Sequence, residues 1–152
     1  MAGVDKENLK LPLVLALDVG TSSTRAMLFD RDGHAVPGLV AQTPVRLTLT
    51  PDGGVEGDAD ALVEVAAGVI DEILREAGDL AGQIAAVGTS CFWHSLMAIG
   101  PEGAALTPVY SLYDDRSAAA ADALRGELVE REVHDRTGCV IHTSYWPAQL
   151  RW

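Results

Sequence analysis

Residues 13–30 read LVLALDVGTSSTRAMLFD, and the order of residue types in this stretch decides how the rest of the chain is read. Residues 13–17 form a short apolar run containing β-branched Val14, long enough for a buried strand. The run ends at Asp18. A polar turn of Gly20, Thr21, Ser22, Ser23 and Thr24 follows, and a second apolar run over 26–29 closes at Asp30. Gly20 has no side chain, so backbone there can approach a ligand closely. The successive N–H groups and hydroxyls of such a turn can face an anion. A carboxylate opposite an anion is repulsive unless a hydrated divalent cation lies between them, so Asp18 beside this turn reads as a phosphate-plus-Mg²⁺ site. A plain hairpin stands beside that reading, because Gly, Ser, Thr and Asp all favour turns.

The chain has 152 residues, nearly half of them hydrophobic, which suits one ordinary domain or a piece of a larger protein. Its formal net charge is -11, from 22 acidic against 11 basic residues. That balance argues against an electrostatic nucleic-acid binder and against a protein of anionic membrane surfaces. A nucleotide is still admissible where backbone N–H groups and Mg²⁺ meet its phosphates. No apolar stretch reaches transmembrane length, and residues 1–12 carry charges with no signal-peptide core after them. They read as a flexible leader. Cys91 and Cys139 lie far apart and form no CxxC pair, which predicts reduced thiols in a cytoplasmic protein.

Outward from the opening stretch, Asp32-Gly33 signals a tight antiparallel hairpin. Residues 35–41 form the third strand, and Pro37 and Gly38 place it towards a sheet edge. Residues 45–49 alternate as a half-exposed strand does, ending at Pro51-Asp52-Gly53-Gly54. Asp58 or Asp60 caps a helix whose apolar face is Leu62, Ala66, Val69, Ile73 and Ala77, with Gly78 as its stop. The expected architecture is a mixed sheet with 13–17 central and this helix over one face. Residues 84–88 predict the next buried strand. It delivers Trp93 and His94 ahead of another apolar run, 96–99. Strand ends in α/β sheets are where ligands bind. His94 could therefore meet a substrate hydroxyl, or equally be a satisfied internal histidine; Trp93 could close over a ligand or fill a core. Residues 114–116, Asp-Asp-Arg, open an alanine-rich helix whose inner face is Ala121, Leu124 and Leu128. Asp115 and Arg116 could together orient a polyol, or serve as cap and surface neighbour. Residues 148–152 read as the opening of a helix with Pro147 near its first turn.

Four ordered blocks carry a resemblance: Asp18-Val19-Gly20-Thr21-Ser22-Ser23-Thr24-Arg25, Trp93-His94-Ser95, Asp114-Asp115-Arg116-Ser117 and Arg136-Thr137-Gly138. Together they resemble the amino-terminal part of the FGGY carbohydrate kinases, most closely gluconokinase-like members through His94-Ser95-Leu96-Met97-Ala98. The resemblance spans 13–152. It implies an α/β, ribonuclease-H-like fold of the actin/hexokinase/Hsp70 superfamily, a mixed sheet with flanking helices, present here as an incomplete first domain. It implies ATP and Mg²⁺ as cofactors and a sugar or sugar acid, gluconate or a pentose or hexose, as acceptor. Asp18 would position Mg²⁺; Gly20, Thr21, Ser22, Ser23 and Arg25 would belong to the first phosphate loop. Trp93, His94, Asp115 and Arg116 would lie in or beside the sugar pocket. The general-base aspartate is expected beyond residue 152, as is a carboxy-terminal nucleotide-binding domain, the missing partner. A homodimer is compatible with this reading; nucleic acid and membrane are not expected partners. The family usually has tryptophan where Leu112 or Tyr113 stands, and often Gly-Gln in place of Cys91-Phe92. The contrasting reading is a non-catalytic actin-like or chaperone-like binding module.

Overall fold

The computed structural model describes residues 9–152. In chain order its elements are β1 Leu13–Val19, β2 Ser23–Phe29, β3 Ala35–Pro44, β4 Thr48–Leu49, β5 Val55–Gly57, α1 Ala59–Ala77, β6 Ile84–Cys91, β7 Val109–Tyr110, α2 Ala118–Glu127, α3 Glu130–Thr137 and α4 Trp146–Arg151. They divide into two compact units. The first holds the described residues up to Arg46 with Asp60–Phe92, and the second holds Leu47–Ala59 with Trp93–Trp152.

The first unit is built on a four-stranded sheet of order β3-β2-β1-β6. β1 runs antiparallel to β2 and parallel to β6, so the sheet is mixed. This is the expected arrangement: residues 13–17 are interior and β3, with Pro37 and Gly38, forms an edge. The Asp-Gly hairpin is also present, with Gly33 at φ 82°. Side chains alternate across a strand, so Leu13 and Leu15 of β1, Ala26 and Leu28 of β2, and Val36, Leu39 and Ala41 of β3 enter one interior. Val69, Ile73 and Ala77, spaced four apart on α1, close that interior. Asp30 ends β2 with its side chain buried; its Oδ1 accepts from the N–H groups of Asp32 at 3.0 Å and His34 at 2.9 Å. Those bonds, the His34 N–H foremost, hold its carboxyl below the usual carboxylate range.

Of the leader expected to be flexible over 1–12, residues 1–8 lie outside the described residues. The rest is anchored: Leu9 packs against the first core, and the Lys10 carbonyl accepts from the Arg31 N–H at 2.9 Å.

Several local expectations are corrected. β2 begins at Ser23, so Ser23, Thr24 and Arg25 belong to a strand and not to the turn. Residues 84–88, read as a buried strand, are largely exposed in β6, with Val87 60% exposed. The reason is position: β6 pairs with β1 on one side only, and its short side chains are covered by little among the described residues. The alternation over 45–49 yields only β4, because β3 itself runs on to Pro44. The apolar run 96–99 forms isolated bridges, Leu96 with Tyr110 and Ile99 with Ala105, in place of a strand. The single alanine-rich helix is two helices, since Leu128 is extended at φ -116°, ψ 147°.

The second unit contains a small antiparallel sheet of order β4-β5-β7 and the helices α2, α3 and α4. Its apolar cluster is modest: Ala121, Ile141 and Ala148, with Leu124 and Val133 packed against it. The helix opening expected at the end of the chain is α4, with Pro147 in its first turn.

Candidate functional site

In the first unit, Asp18 stands exposed near the carboxyl end of β1, opposite Arg25 of β2. Its carboxylate has no hydrogen bond or ion pair among the described residues. The turn that follows is tight: the Gly20 N–H donates to the Ser23 carbonyl at 3.0 Å. A Cβ at residue 20 would meet that same carbonyl at 3.0 Å, so a side chain there would crowd the turn by a few tenths of an ångström, which glycine avoids. The bond uses the Gly20 donor internally, so that N–H is not free to face an anion. Ser23 and Arg25 are tied instead to one residue of β3. Gln42 Nε2 donates to Ser23 Oγ at 2.9 Å, and Arg25 Nε donates to Gln42 Oε1 at 3.2 Å. No cluster of three His, Cys, Asp or Glu side chains among the described residues could cage a metal. A single free carboxylate beside a donor-bearing turn suits Mg²⁺, which keeps several waters and is commonly held by one or two carboxylates plus phosphates.

In the second unit, residues 93–94 form a turn after β6, and His94 takes a left-handed backbone at φ 58°. Its imidazole lies 4.5 Å from the Tyr145 ring and 5.8 Å from the Trp93 indole. Trp93 itself is 74% exposed. His94 also lines a cavity of about 360 Å³ whose other walls include Val133, Ile141, His142, Tyr145 and Trp146. Trp93, Asp115 and Arg116 do not line that cavity.

Asp114, Asp115 and Arg116 are adjacent in sequence but separate in role. Asp114 is buried; its Oδ2 accepts from the Val55 N–H at 3.1 Å and from Arg116 Nη2 at 2.6 Å, while Oδ1 accepts from Arg116 Nε at 3.1 Å. Burial alone would push its carboxyl up, but the Arg116 guanidinium and the Val55 and Arg116 N–H groups together hold it below the ordinary value. Arg116 also donates to Glu56 at 2.7 Å and lies over two rings, Tyr110 at 5.4 Å and Trp152 at 4.9 Å. Gly54 makes room for it: a side chain at residue 54 would run into the guanidinium and the Thr50 hydroxyl. Its neighbours, Asp114 first, raise the Arg116 pKa further. Asp115 is exposed, its N–H donating to the Gly53 carbonyl at 3.4 Å and its Oδ1 accepting from the Thr143 hydroxyl at 3.4 Å.

The sequence-predicted residues thus fall into two sets. Asp18, Gly20, Thr21, Ser22, Ser23 and Arg25 lie together in the first unit, while Trp93, His94, Asp115 and Arg116 lie in the second. Sequence reasoning missed Asp114, Glu56, Tyr110, Thr143 and Tyr145. The Asp-x-Arg spacing was the one signal available for Asp114. Nothing local marks Glu56, 60 positions before the arginine it binds. Cys91 and Cys139 are both free thiols, and no described helix is long and apolar enough to cross a membrane.

The mixed sheet of this order, with α1 packed on one face, has the architecture of a ribonuclease-H-like domain of the actin/hexokinase/Hsp70 class, the class to which the family match assigns it. The sequence profile of the FGGY family of carbohydrate kinases, N-terminal domain, matches residues 13–152, and the chain belongs to that family. It is similar to a glycerol kinase from Paraburkholderia phymatum, 34% identical over 148 residues, covering 91% of this chain and 28% of the relative. Among solved structures it is similar to a xylulose kinase from Rhodospirillum rubrum, with TM-score 0.85 and 27% identity over 92% of this chain and 28% of the other. A gluconate kinase from Lactobacillus acidophilus, 24% identical with TM-score 0.77 over 89% of this chain and 26% of the other, shares the fold. The chain spans about 28% of the length of the curated relatives it matches. Glycerol, xylulose and gluconate kinases stand side by side, so the gluconokinase-like expectation is not singled out.

Proposed function

We propose that this chain is the sugar-binding part of an ATP-dependent carbohydrate kinase, and that the longer protein phosphorylates a hydroxyl of a sugar or sugar acid. Membership of the family over 13–152 supports the reaction class. The observation that carries the site is the free, exposed Asp18 carboxylate next to the Gly20 turn. In this reading Asp18 holds a hydrated Mg²⁺, Thr21 and Ser22 contact phosphate, and Ser23 and Arg25 brace the turn through Gln42. Mg²⁺, when bound, neutralises charge on the phosphates. His94 and Asp115 contact acceptor hydroxyls, and Trp93 covers an apolar face of the acceptor. Arg116 stands beside the pocket, holding the backbone that presents Asp115. The general base and the nucleotide-binding domain belong to the rest of a cytoplasmic enzyme. Gluconate is the acceptor we favour, on His94-Ser95-Leu96-Met97-Ala98.

The test is a coupled ADP-release assay on the full gene product with gluconate, glycerol, pentoses and hexoses. Asp18→Asn is expected to lower kcat at least a hundredfold with unchanged far-UV circular dichroism, and the 152-residue chain alone to show no sugar-dependent turnover. Wild-type turnover by Asp18→Asn would remove the ion from this site, and turnover by the short chain would place the base within it.

A further inference from the structure

We infer that Tyr145 is a positioning residue for His94, and that the loop carrying it, residues 142–145, sets both acceptor contacts at once. The inference rests on the functional reading above and deepens it. His94 is the one non-glycine residue among those described with a left-handed backbone. An L-residue pays sterically for that conformation, so it persists where surroundings over-determine it. No hydrogen bond or ion pair holds the His94 ring among the described residues. What surrounds it is aromatic: Tyr145 tilted 48° at 4.5 Å on one flank, and Trp93 edge-on at 77° on another. Both geometries suit favourable aromatic packing. Trp93 is mostly exposed and contributes a loose wall, so Tyr145, half-buried, is the firmer one. The ring nitrogens are left for a ligand while the ring plane is fixed.

The same loop reaches the second contact. Thr143 Oγ1 donates to Asp115 Oδ1 at 3.4 Å. The loop is itself pinned to what lies around Asp115: Ser144 Oγ donates to the Leu112 carbonyl at 2.6 Å, and Ser117 Oγ donates to the Thr143 carbonyl at 2.8 Å. His142 Nδ1 accepts from the Ser144 N–H at 3.1 Å and keeps the loop closed. One rigid segment therefore touches the imidazole and the carboxylate from residues two apart. A displacement of about 1 Å in such a contact can cost about a hundredfold in rate.

Two measurements test this. In the full gene product, Tyr145→Leu is expected to raise the acceptor KM at least tenfold with the ATP KM within twofold, and Tyr145→Phe, which keeps the ring, to stay within threefold of wild type. Adding His94→Ala to Tyr145→Leu should cost little more than His94→Ala alone. An acceptor KM moved by His94→Ala but not by Tyr145→Leu overturns the positioning role and leaves the functional reading standing. An acceptor KM moved by neither overturns both. On the 152-residue chain, the His94 ring proton resonances should carry a ring-current shift that Tyr145→Phe retains and Tyr145→Leu loses. If those resonances do not move in Tyr145→Leu, the inference fails whatever the kinetics show.

Discussion

The two units of this chain are held together by different physics. The first encloses ten buried apolar residues from three strands and one helix. The second has three buried residues in its helical cluster, and elsewhere a guanidinium with three carboxylates and two aromatic rings around it. Each unit also buries one aspartate, and the contrast repeats there. Asp30 is satisfied by N–H donors of its own turn, within four residues. Asp114 relies on a cation and on the Val55 N–H from a strand 59 positions earlier. An apolar interior tolerates small losses gradually. A buried charge pair fails steeply when one partner goes, because the other is left desolvated and unpaired.

The largest expected effect therefore lies in the second unit. Asp114→Ala leaves Arg116 with Glu56 and the exposed, more distant Asp52, strips the Val55 N–H of its acceptor, and should destabilise by about 3–5 kcal/mol. All three tryptophans lie in this unit, so their fluorescence during denaturant unfolding reports it selectively. The wild type should also lose part of this stabilisation in acid. The folded Asp114 carboxyl binds its proton less readily than the unfolded one, so its contribution is complete above the ordinary aspartate value of about 3.9. It declines as pH falls through that value towards the lower folded one. Asp114→Ala should flatten that decline in the fluorescence transition. An unchanged acid profile would mean that the Arg116 cluster is not what holds the unit.

A smaller cost, one that does not shrink in acid below about pH 4 as the Asp114 contribution does, is expected in the first unit. Ile73 is fully buried on α1 against β1–β3, and Ile73→Ala should cost about 3 kcal/mol through lost burial and the cavity left behind. Amide hydrogen exchange on β1 and β2 would read it, and the tryptophan fluorescence of the second unit should move less. A loss that tracked pH as the Asp114 variant's does would erase the distinction between the units.

This difference also explains what could be read in the sequence. The first unit was legible because its signals are periodic: Leu13 and Leu15 two apart, Val69, Ile73 and Ala77 four apart, Asp-Gly at the hairpin, Pro37 at an edge. The mixed sheet, interior β1, edge β3 and covering helix all follow from such local patterns. Exposure of β6 was not legible, because Ile-Ala-Ala-Val-Gly reads as a buried strand wherever a sheet places it. The polar turn was visible at Asp18 and Gly20, but not the boundary at Ser23, since strand pairing, not composition, draws Ser23 and Arg25 into β2. In the second unit the Asp114-Asp115-Arg116 run was visible as a motif, while its division of labour was not. Burial of Asp114 and exposure of Asp115 depend on β5 arriving from far along the chain. Tyr145 and Thr143 were hidden for the same reason: their partners, His94 and Asp115, are 51 and 28 positions away.

The smallest expected effect runs in the opposite direction. Gln149 sits on α4 with only 7% of its surface exposed, and its N–H donates to the Tyr145 carbonyl at 3.3 Å. Its side-chain Oε1 and Nε2 have no partner among the described residues. A buried amide without partners costs about 1–3 kcal/mol, whereas an apolar group of similar size leaves nothing unsatisfied. Leucine is close in volume, suits a helix, and joins Ala148 and Ile141 of the adjoining cluster in character. Gln149→Leu should therefore stabilise the second unit of this chain by about 1 kcal/mol, read as a higher denaturant midpoint in tryptophan fluorescence at unchanged slope. Gln149→Glu, which buries a charge in the same place, should lower the midpoint. The pair of variants separates two accounts of this unit. If leucine raises the midpoint, its helical cluster is short of apolar burial, as the comparison with the first unit holds. If leucine lowers it, the Gln149 amide is satisfied in solution, and polar contacts hold α4 as they hold Arg116.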